Sequence, residues 1–416
     1  MTQTLDNQQT STPLSAAYWR QLLATGISNV GDGINAAALP LLALTLTDDA
    51  RLIAGVTVAA FIPWLLLALP AGVIVDRYNR QTLMVVTNIA RAFLMAGVAI
   101  TAATGSLNIW LLYLLLLGLG LCEVLFDSSA QAFLPAIVDS EQLPKANGRL
   151  YAVETVANNF LGQPFGALLF SLTLAVPFAL DAASFVIAAL LVAGISVRPG
   201  ALPPSKRGQP TKFRSEIAES MRWLWRDPLL RAMAILLGVV NVSATFGVSI
   251  FVKFATETLG VSTRWFGALL ALMALGAVLG GMVGDRVVHW LGRSTALRCS
   301  YVAFAIATLG IGLSPNYWVV AAFSFVDAFA GTVWNIVSVS LRQRIIPSQL
   351  FGRVNSVYRW IGTGATAIGA VIGGQLAFHL GLRAPWILGG ITIMVAFAFG
   401  AKFLSERRIE ASLARS

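Results

Sequence analysis

The stretch AGVIVDRYNRQ, residues 71–81, ends a run of about two dozen apolar residues with an aspartate and two arginines inside five positions. Apolar sequence that stops in a knot of charge marks a helix leaving lipid, since ~20 apolar residues rising ~1.5 Å each span ~30 Å of hydrocarbon. The rest of the chain repeats the pattern. Of its 416 residues 57% are hydrophobic and 12% charged, and the mean hydropathy is +0.75. A soluble core of this size cannot bury that much apolar surface. Twelve runs are long enough to cross, centred near Asn29, Trp64, Leu94, Leu116, Leu161, Ile187, Val240, Leu272, Ala305, Ala328, Ala367 and Val395. Loops such as TGSLN (104–108) and SPNYW (314–318) are short, so neighbouring spans run antiparallel. The expectation is an all-α membrane protein with twelve transmembrane helices.

Basic residues set the orientation, because Lys and Arg are retained on the cytoplasmic side. With both termini cytoplasmic, only Arg51, Lys253, Arg264 and Arg383 fall in outer loops, and Arg91 and Arg298 fall inside spans. The net charge of +10 is thus a topology signal, and its scatter over many loops argues against a nucleic-acid partner. Cys122 and Cys299 lie in apolar runs and His289 and His379 at run ends, which excludes a disulfide framework and a zinc site. The opening residues MTQTLDNQQTSTPLSA have no signal-peptide pattern. Residues 1–16 read as a cytoplasmic tail, 17–197 as one six-helix bundle, 198–229 as a cytoplasmic linker, 230–405 as a second bundle and 406–416 as a cytoplasmic tail. Within the linker, Phe213, Ile217, Met221 and Leu224 share one helical face, which either lies on the membrane surface or packs under the bundle.

The charged knot occurs twice. In GGMVGDRVVHWLGRS, residues 280–294, Gly281, Asp285 and Arg286 follow Gly72, Asp76 and Arg77 by 209 residues. Gln142, Leu143 and Asn147 are answered by Gln349, Leu350 and Asn355 after 207 or 208 residues, and Gly166 by Gly374. Matches at nearly one spacing indicate two pseudo-symmetric six-helix bundles related by duplication, a plan that places a site at their interface.

Gly72, Ile74, Asp76, Arg77 and Arg80 resemble the loop signature of the major facilitator superfamily, with Asn79 where that family often has glycine and Gln81 where it often has a basic residue. The stretches 133–170 and 334–374 are similar to the branch of drug–proton antiporters that holds enterobactin exporters and macrolide efflux pumps. The resemblance implies the major facilitator fold and a cytoplasmic gate of Gly72, Asp76, Arg77, Arg80, Gly281, Asp285, Arg286, Arg293 and Arg353. It sets Asp76 against the start of span eleven and Asp285 against the start of span five. Gly162, Gln163, Pro164 and Gly166 resemble the antiporter motif of export-type members, although Gln163 interrupts the usual Gly-Pro pair; an ordinary kinked helix is the alternative.

Ionisable groups inside spans cost at least ~2.5 kcal/mol on insertion scales, so each invites a functional reading. Arg91 and Asp127 fall at a similar depth, ~14 Å by helical rise, on adjacent helices and are expected to form an intramembrane ion pair. Asp181 reads as mainly structural. Asp32, without an evident partner, is the first choice for proton coupling and Glu123 the second, with Asp327, Asp127 and Glu154 as further candidates; Asp32 also has a structural alternative. Asn29, Asn35, Phe126, Asn241, Trp334 and Asn335 are candidate cargo contacts, an aromatic wall with a few polar groups. No G-x-x-x-x-G-K-[ST] loop is present, so the proton gradient is the expected energy source and no cofactor is expected. The expected function is a proton-coupled antiporter exporting bulky amphipathic molecules, drugs or siderophores, by alternating access. It would act as a monomer in the bacterial plasma membrane, with lipid, protons and a small-molecule substrate as its partners. A lysophospholipid flippase and a nutrient or siderophore importer remain open, whereas an enzyme lacks a metal or nucleophile set at depth.

Overall fold

The computed structural model describes residues 14–196 and 213–414; within its helices the side chains of several residues, among them Asp76, Phe213, Ile217 and Arg353, and the surroundings of Gly72 also lie outside the description. The expected tail before residue 14, the linker stretch 197–212 and residues 415–416 are likewise outside it. Among the described residues, twelve long helices follow one another. They are α1 (Ala16–Leu46), α2 (Ala50–Arg77), α3 (Arg80–Ala103), α4 (Ile109–Phe133), α5, α6 (Val176–Ala193), α7 (Pro228–Val248), α8 (Thr263–Leu291), α9 (Arg293–Leu313), α10 (Tyr317–Ile345), α11 (Ser348–Leu380) and α12 (Ala384–Gly400). Among the described residues, eleven spans are long and apolar enough to cross a membrane along a single helix. The twelfth, α5, runs through Leu143–Thr155, a π turn at Val156–Gly162 and Gln163–Leu172.

Polar residues at run boundaries start these helices by accepting the backbone N–H groups that a first turn leaves over. Asn108 takes the N–H groups of Trp110 and Leu111 at 3.1 and 3.0 Å, and Asn316, 208 residues later, takes that of Val319 at 3.2 Å. Asn79 caps α3 through Thr82 N–H at 3.0 Å with φ −67°, so the turn needs no glycine there. Gln81 donates to Val192 and Ile195 carbonyls at 2.9 and 2.8 Å, sealing the end of α6. Both departures from the loop signature therefore have local structural work.

Large apolar side chains face outward, with Trp290 85% and Phe93 and Phe399 each 75% exposed. Such a belt is stable only against lipid. The interior is organised by end. At the end away from residues 71–81, called here the far end, one apolar cluster joins both halves, with Leu42 and Ile53 of one half packed together with Phe251, Phe266 and Trp386 of the other. At the charged end the clusters separate, one built from residues 224–409 and others from within residues 18–195. Glycines permit the close approaches. A Cβ on Gly162 would fall 2.5 Å from Gly33 Cα, and one on Gly166 2.7 Å from Ile34 Cα, so α1 and α5 touch backbone to backbone.

The linker helix Phe213–Arg226 packs under the second half, burying Leu224 completely, which favours the second of the two placements expected for it. Within the expected carboxy-terminal tail, Glu406–Leu413 form a helix, with Ile409 wholly buried and Ser412 Oγ donating to Asp227 at 2.9 Å. Its apolar face, short as it is, finds cover beneath the second bundle.

Candidate transport site

Between the halves lies a cavity of about 1050 Å³, walled by α5 on one side and by α8 and α10 on the other. Tyr151, Asn159 and Gln163 line the first wall, and Asp285, Trp334 and Asn335 the second. A smaller cavity of about 320 Å³ shares Trp334 and Asn335 and extends to Phe61, Asn241, Arg342 and Arg359. At the far end the walls meet, since a Cβ on Gly267 of α8 would lie 3.1 Å from Ala167 Cβ of α5. Arg51 of α2 also stacks 3.6 Å over the Phe378 ring of α11 there.

Behind the first wall the amino-terminal half buries a polar network. Arg91 on α3 is 1% exposed and donates to Asp32 Oδ1 on α1 at 2.7 Å. Its guanidinium lies 4.0 Å from the centre of the Phe185 ring and 5.7 Å from that of Phe126. Asp181 on α6, fully buried, accepts from Asn35 and, at 3.1 Å, from Ser184 Oγ, and its carboxylate fills the space that Gly31 leaves open. Glu123, half-buried on α4, stands in electrostatic range of Arg91 and Asp32. Asn88 is fully buried with neither side-chain atom bonded, and Arg91 Nε is also unpaired. Buried polar atoms of this kind are costly and mark a polar region that water or a moving group satisfies.

The expected pairing is corrected in two places. Arg91 bonds Asp32 and not Asp127, the long guanidinium side chain reaching from α3 to the Asp32 carboxylate on α1; Asp32 is therefore not unpartnered. Asp127 on α4 instead lies 3.6 Å from Arg359 on α11, across the interface of the halves, with both side chains about 40% exposed. Arg359 also sits 5.1 Å from the Trp64 ring centre, and Trp360 Nε1 donates to Leu65 O at 2.8 Å beside it. Glu154, exposed on α5, is in electrostatic range of Asp127 and Arg359. Asp327 is half-buried on α10 and forms no ion pair among the described residues.

Of the expected cargo contacts, Asn241, Trp334 and Asn335 line the cavities, and Asn335 donates to Tyr151 Oη at 3.0 Å across the interface. Asn35 and Phe126 do not belong with them. They are 4% and 7% exposed, drawn into the network around Asp181 and Arg91. Asn29 turns back to Thr25 O at 2.9 Å. In the gate set, Gly281 and Asp285 border the larger cavity, Arg80 donates to Ala132 O at 2.8 Å, Arg77 and Arg286 are exposed and Arg293 opens α9. The surroundings of Gly72 and the side chains of Asp76 and Arg353 lie outside the description. In the antiporter-like motif, Gln163 N–H reaches back five residues to Asn158 O, the π turn that precedes Pro164, and its side chain donates to Asn159 Oδ1 at 3.0 Å. Sequence reasoning missed Arg342, Arg359 and Tyr151. Arg359 stands at the edge of an apolar run and was counted with the loop charges; the signal that finds it is its place inside the 33-residue helix α11.

Two bundles around a central cavity, closed at one end and separated at the other, define a secondary transporter of the major facilitator fold. A family model described as "Transmembrane secretion effector" matches residues 8–414, and the chain belongs to that family within the major facilitator superfamily. It is similar to the enterobactin exporter EntS of Shigella boydii serotype 4, 24% identical over 366 residues that cover 86% of this chain and 85% of that one. Among solved structures it is similar to the nucleoside transporter NupG (TM-score 0.72, 13% identity, 94% of this chain and 99% of that one). It also resembles a bacterial homologue of the iron transporter ferroportin in an inward-facing state (TM-score 0.71, 18% identity, 94% and 99%). At these identities the two structures bear on the fold alone. The chain is a transporter and not an enzyme.

Proposed function

We propose that the protein is a proton-coupled antiporter that exports bulky amphipathic small molecules, with siderophores as the first class to try, across a bacterial inner membrane. The observation that carries this reading is the Asp32–Arg91 pair behind the cavity wall, where one buried guanidinium serves Asp32 with Glu123 and Asp181 in range. The set holds three carboxylates to one cation, so a carboxylate released when the pair parts offers a place for a proton to bind. The likeness to the enterobactin exporter supports the cargo class, and the distribution of Lys and Arg supports cytoplasmic termini, with the charged end inside. In that orientation the cavity faces the cytoplasm. Proton binding and cargo binding then bias the same rocking of the two halves, each by its difference in affinity for the two states. Asp181, held by Asn35 and Ser184, positions α6 against α1 and is not the coupling acid.

The test is transport in proteoliposomes under an imposed pH gradient, over a panel of siderophores and antibiotics. Asp32→Asn is expected to abolish gradient-driven transport while cargo binding is retained. Unchanged pH dependence in that variant removes Asp32 from the mechanism, and cargo moving only with the inward proton flow makes the protein an importer.

A further inference from the structure

We propose that the second half carries an anion subsite for the cargo, formed by Arg342 and Arg359 in the cavity that Trp334 and Asn241 also line, and that Asp127 is its resident stand-in when no cargo is bound. The proposal deepens the reading above, since it names the charge of the cargo, but it does not depend on proton coupling.

Both arginines border one cavity of about 320 Å³. Arg342 has no carboxylate partner among the described residues. It donates to Asn355 Oδ1 at 2.7 Å and to Ser338 O at 3.3 Å, and its guanidinium lies 4.7 Å from the Tyr358 ring centre. Arg342 stands in the last turn of α10, and a largely buried cation with neutral partners only keeps an unmet demand for negative charge. Arg359 meets its demand from the other half, through Asp127 at 3.6 Å, and that bond is long and open to water on both sides. Pairs of this kind are weak. A carboxylate or sulfonate that reaches both guanidinium groups gains shorter, forked bonds that Asp127 does not supply to Arg342. The surroundings favour an aromatic anion, because Phe61 and Trp334 line the same cavity and Asn241 and Asn335 supply neutral polar contacts. From the first half, Asp127 pairs with Arg359 and Glu154 stands in electrostatic range of it, so an anion reaches Arg359 by displacing Asp127, whereas the two guanidinium groups repel a cation.

The experiment is a fluorescence titration of the full chain in nanodiscs, without any gradient, using 5-(dimethylamino)naphthalene-1-sulfonate and its neutral sulfonamide as matched probes. The sulfonate is expected to bind saturably and at least about tenfold more tightly than the sulfonamide, a factor set by the charge alone. Arg359→Gln and Arg342→Gln are each expected to weaken the sulfonate by about tenfold and leave the sulfonamide unchanged, with Arg359→Lys in between. Asp127→Asn is expected to tighten the sulfonate several-fold, because the stand-in is gone. Equal binding of the two probes, or weaker sulfonate binding in Asp127→Asn, overturns the proposal. The Asp127 variant keeps every arginine, so its result stands even where an arginine variant folds poorly. Failure here leaves gradient-driven export intact, whereas loss of pH-driven transport in Asp32→Asn leaves this subsite intact.

Discussion

Where the first half of the chain carries Asp32 and Asp127, the second carries Asn241 and Asn335, 209 and 208 residues further on. Arg91 has its counterpart in Arg298, 207 residues later, yet the two are served differently. Arg91 is held by a carboxylate, while Arg298 donates to a carbonyl, Ala401 O, at 3.0 Å and leaves its Nε unpaired. Conversely, Arg359 stands 208 residues after Tyr151, where the first half has no charge at all. The duplication has kept helix starts and close-packing glycines, which the fold requires of both halves, and has let the charges drift apart. The result is a smaller cavity bordered by Arg342 and Arg359 of the second half, with Asp127 of the first half reaching across to Arg359.

The sharpest way to break this comparison is at the paired arginines. Arg91→Ala strands Asp32 beside a buried network and is expected to cost ~3–5 kcal/mol, the price of leaving a buried charge alone. Arg298→Ala loses a bond to a neutral carbonyl and is expected to cost about 1 kcal/mol. Thermal melting in detergent reads both, and equal losses would mean that the two halves treat their arginines alike.

The glycines give the next largest effect, and here the halves are expected to differ in kind. Gly166→Ala drives a methyl into the backbone of α1 within its own half and is expected to lower stability by ~1–3 kcal/mol. Its repeat partner Gly374 faces the opposite half, where a Cβ would lie 2.9 Å from Ala54 Cβ and 3.1 Å from Arg51 Cα. Gly374→Ala is therefore expected to loosen the closed far end, and a cysteine placed at buried Ala50 should react faster with a membrane-impermeant maleimide in that background. No gain in reactivity would show that the far end is not held by this contact.

A smaller effect is expected from Asp127→Asn, whose half-exposed bond to Arg359 contributes at most ~1 kcal/mol to stability. The smallest is present at neutral pH and lost in acid. The Arg51 side chain bonds Asp49 and, with Arg51 and Leu52 backbone N–H groups, holds its carboxyl below the ordinary 3.8. A lowered carboxylate contributes its stability above that ordinary value and loses it as the pH falls through the folded value. Melting curves are thus expected to separate wild type from Asp49→Asn at neutral pH and to converge below pH 3.8.

Much of the fold was legible because a helix in lipid must satisfy its own backbone and present apolar side chains along its length, so each span announces itself locally. Span five is the partial exception. Its length was clear, but the π turn at Val156–Gly162 depends on how Asn158 O, Gln163 N–H and Pro164 share the backbone bonds. The site was legible only in its residue types. Asp32, Arg91, Glu123, Asp127 and Asp181 were each found as intramembrane charges, and depth along the chain suggested Arg91 with Asp127. Depth gives one coordinate of three, and the rotation of α1, α3 and α4 about their axes decided for Asp32. Asn35 and Phe126 were assigned to the cavity for the same reason and belong to the packing behind it.

The sequence by itself therefore determined the twelve spans and the repeat, since these follow from hydropathy and periodicity. Only the tertiary structure decided which charges meet, which end is closed and that Arg359 reaches across to Asp127. Those outcomes rest on helix rotation and on contacts between residues more than two hundred positions apart, which no local pattern in a single chain encodes.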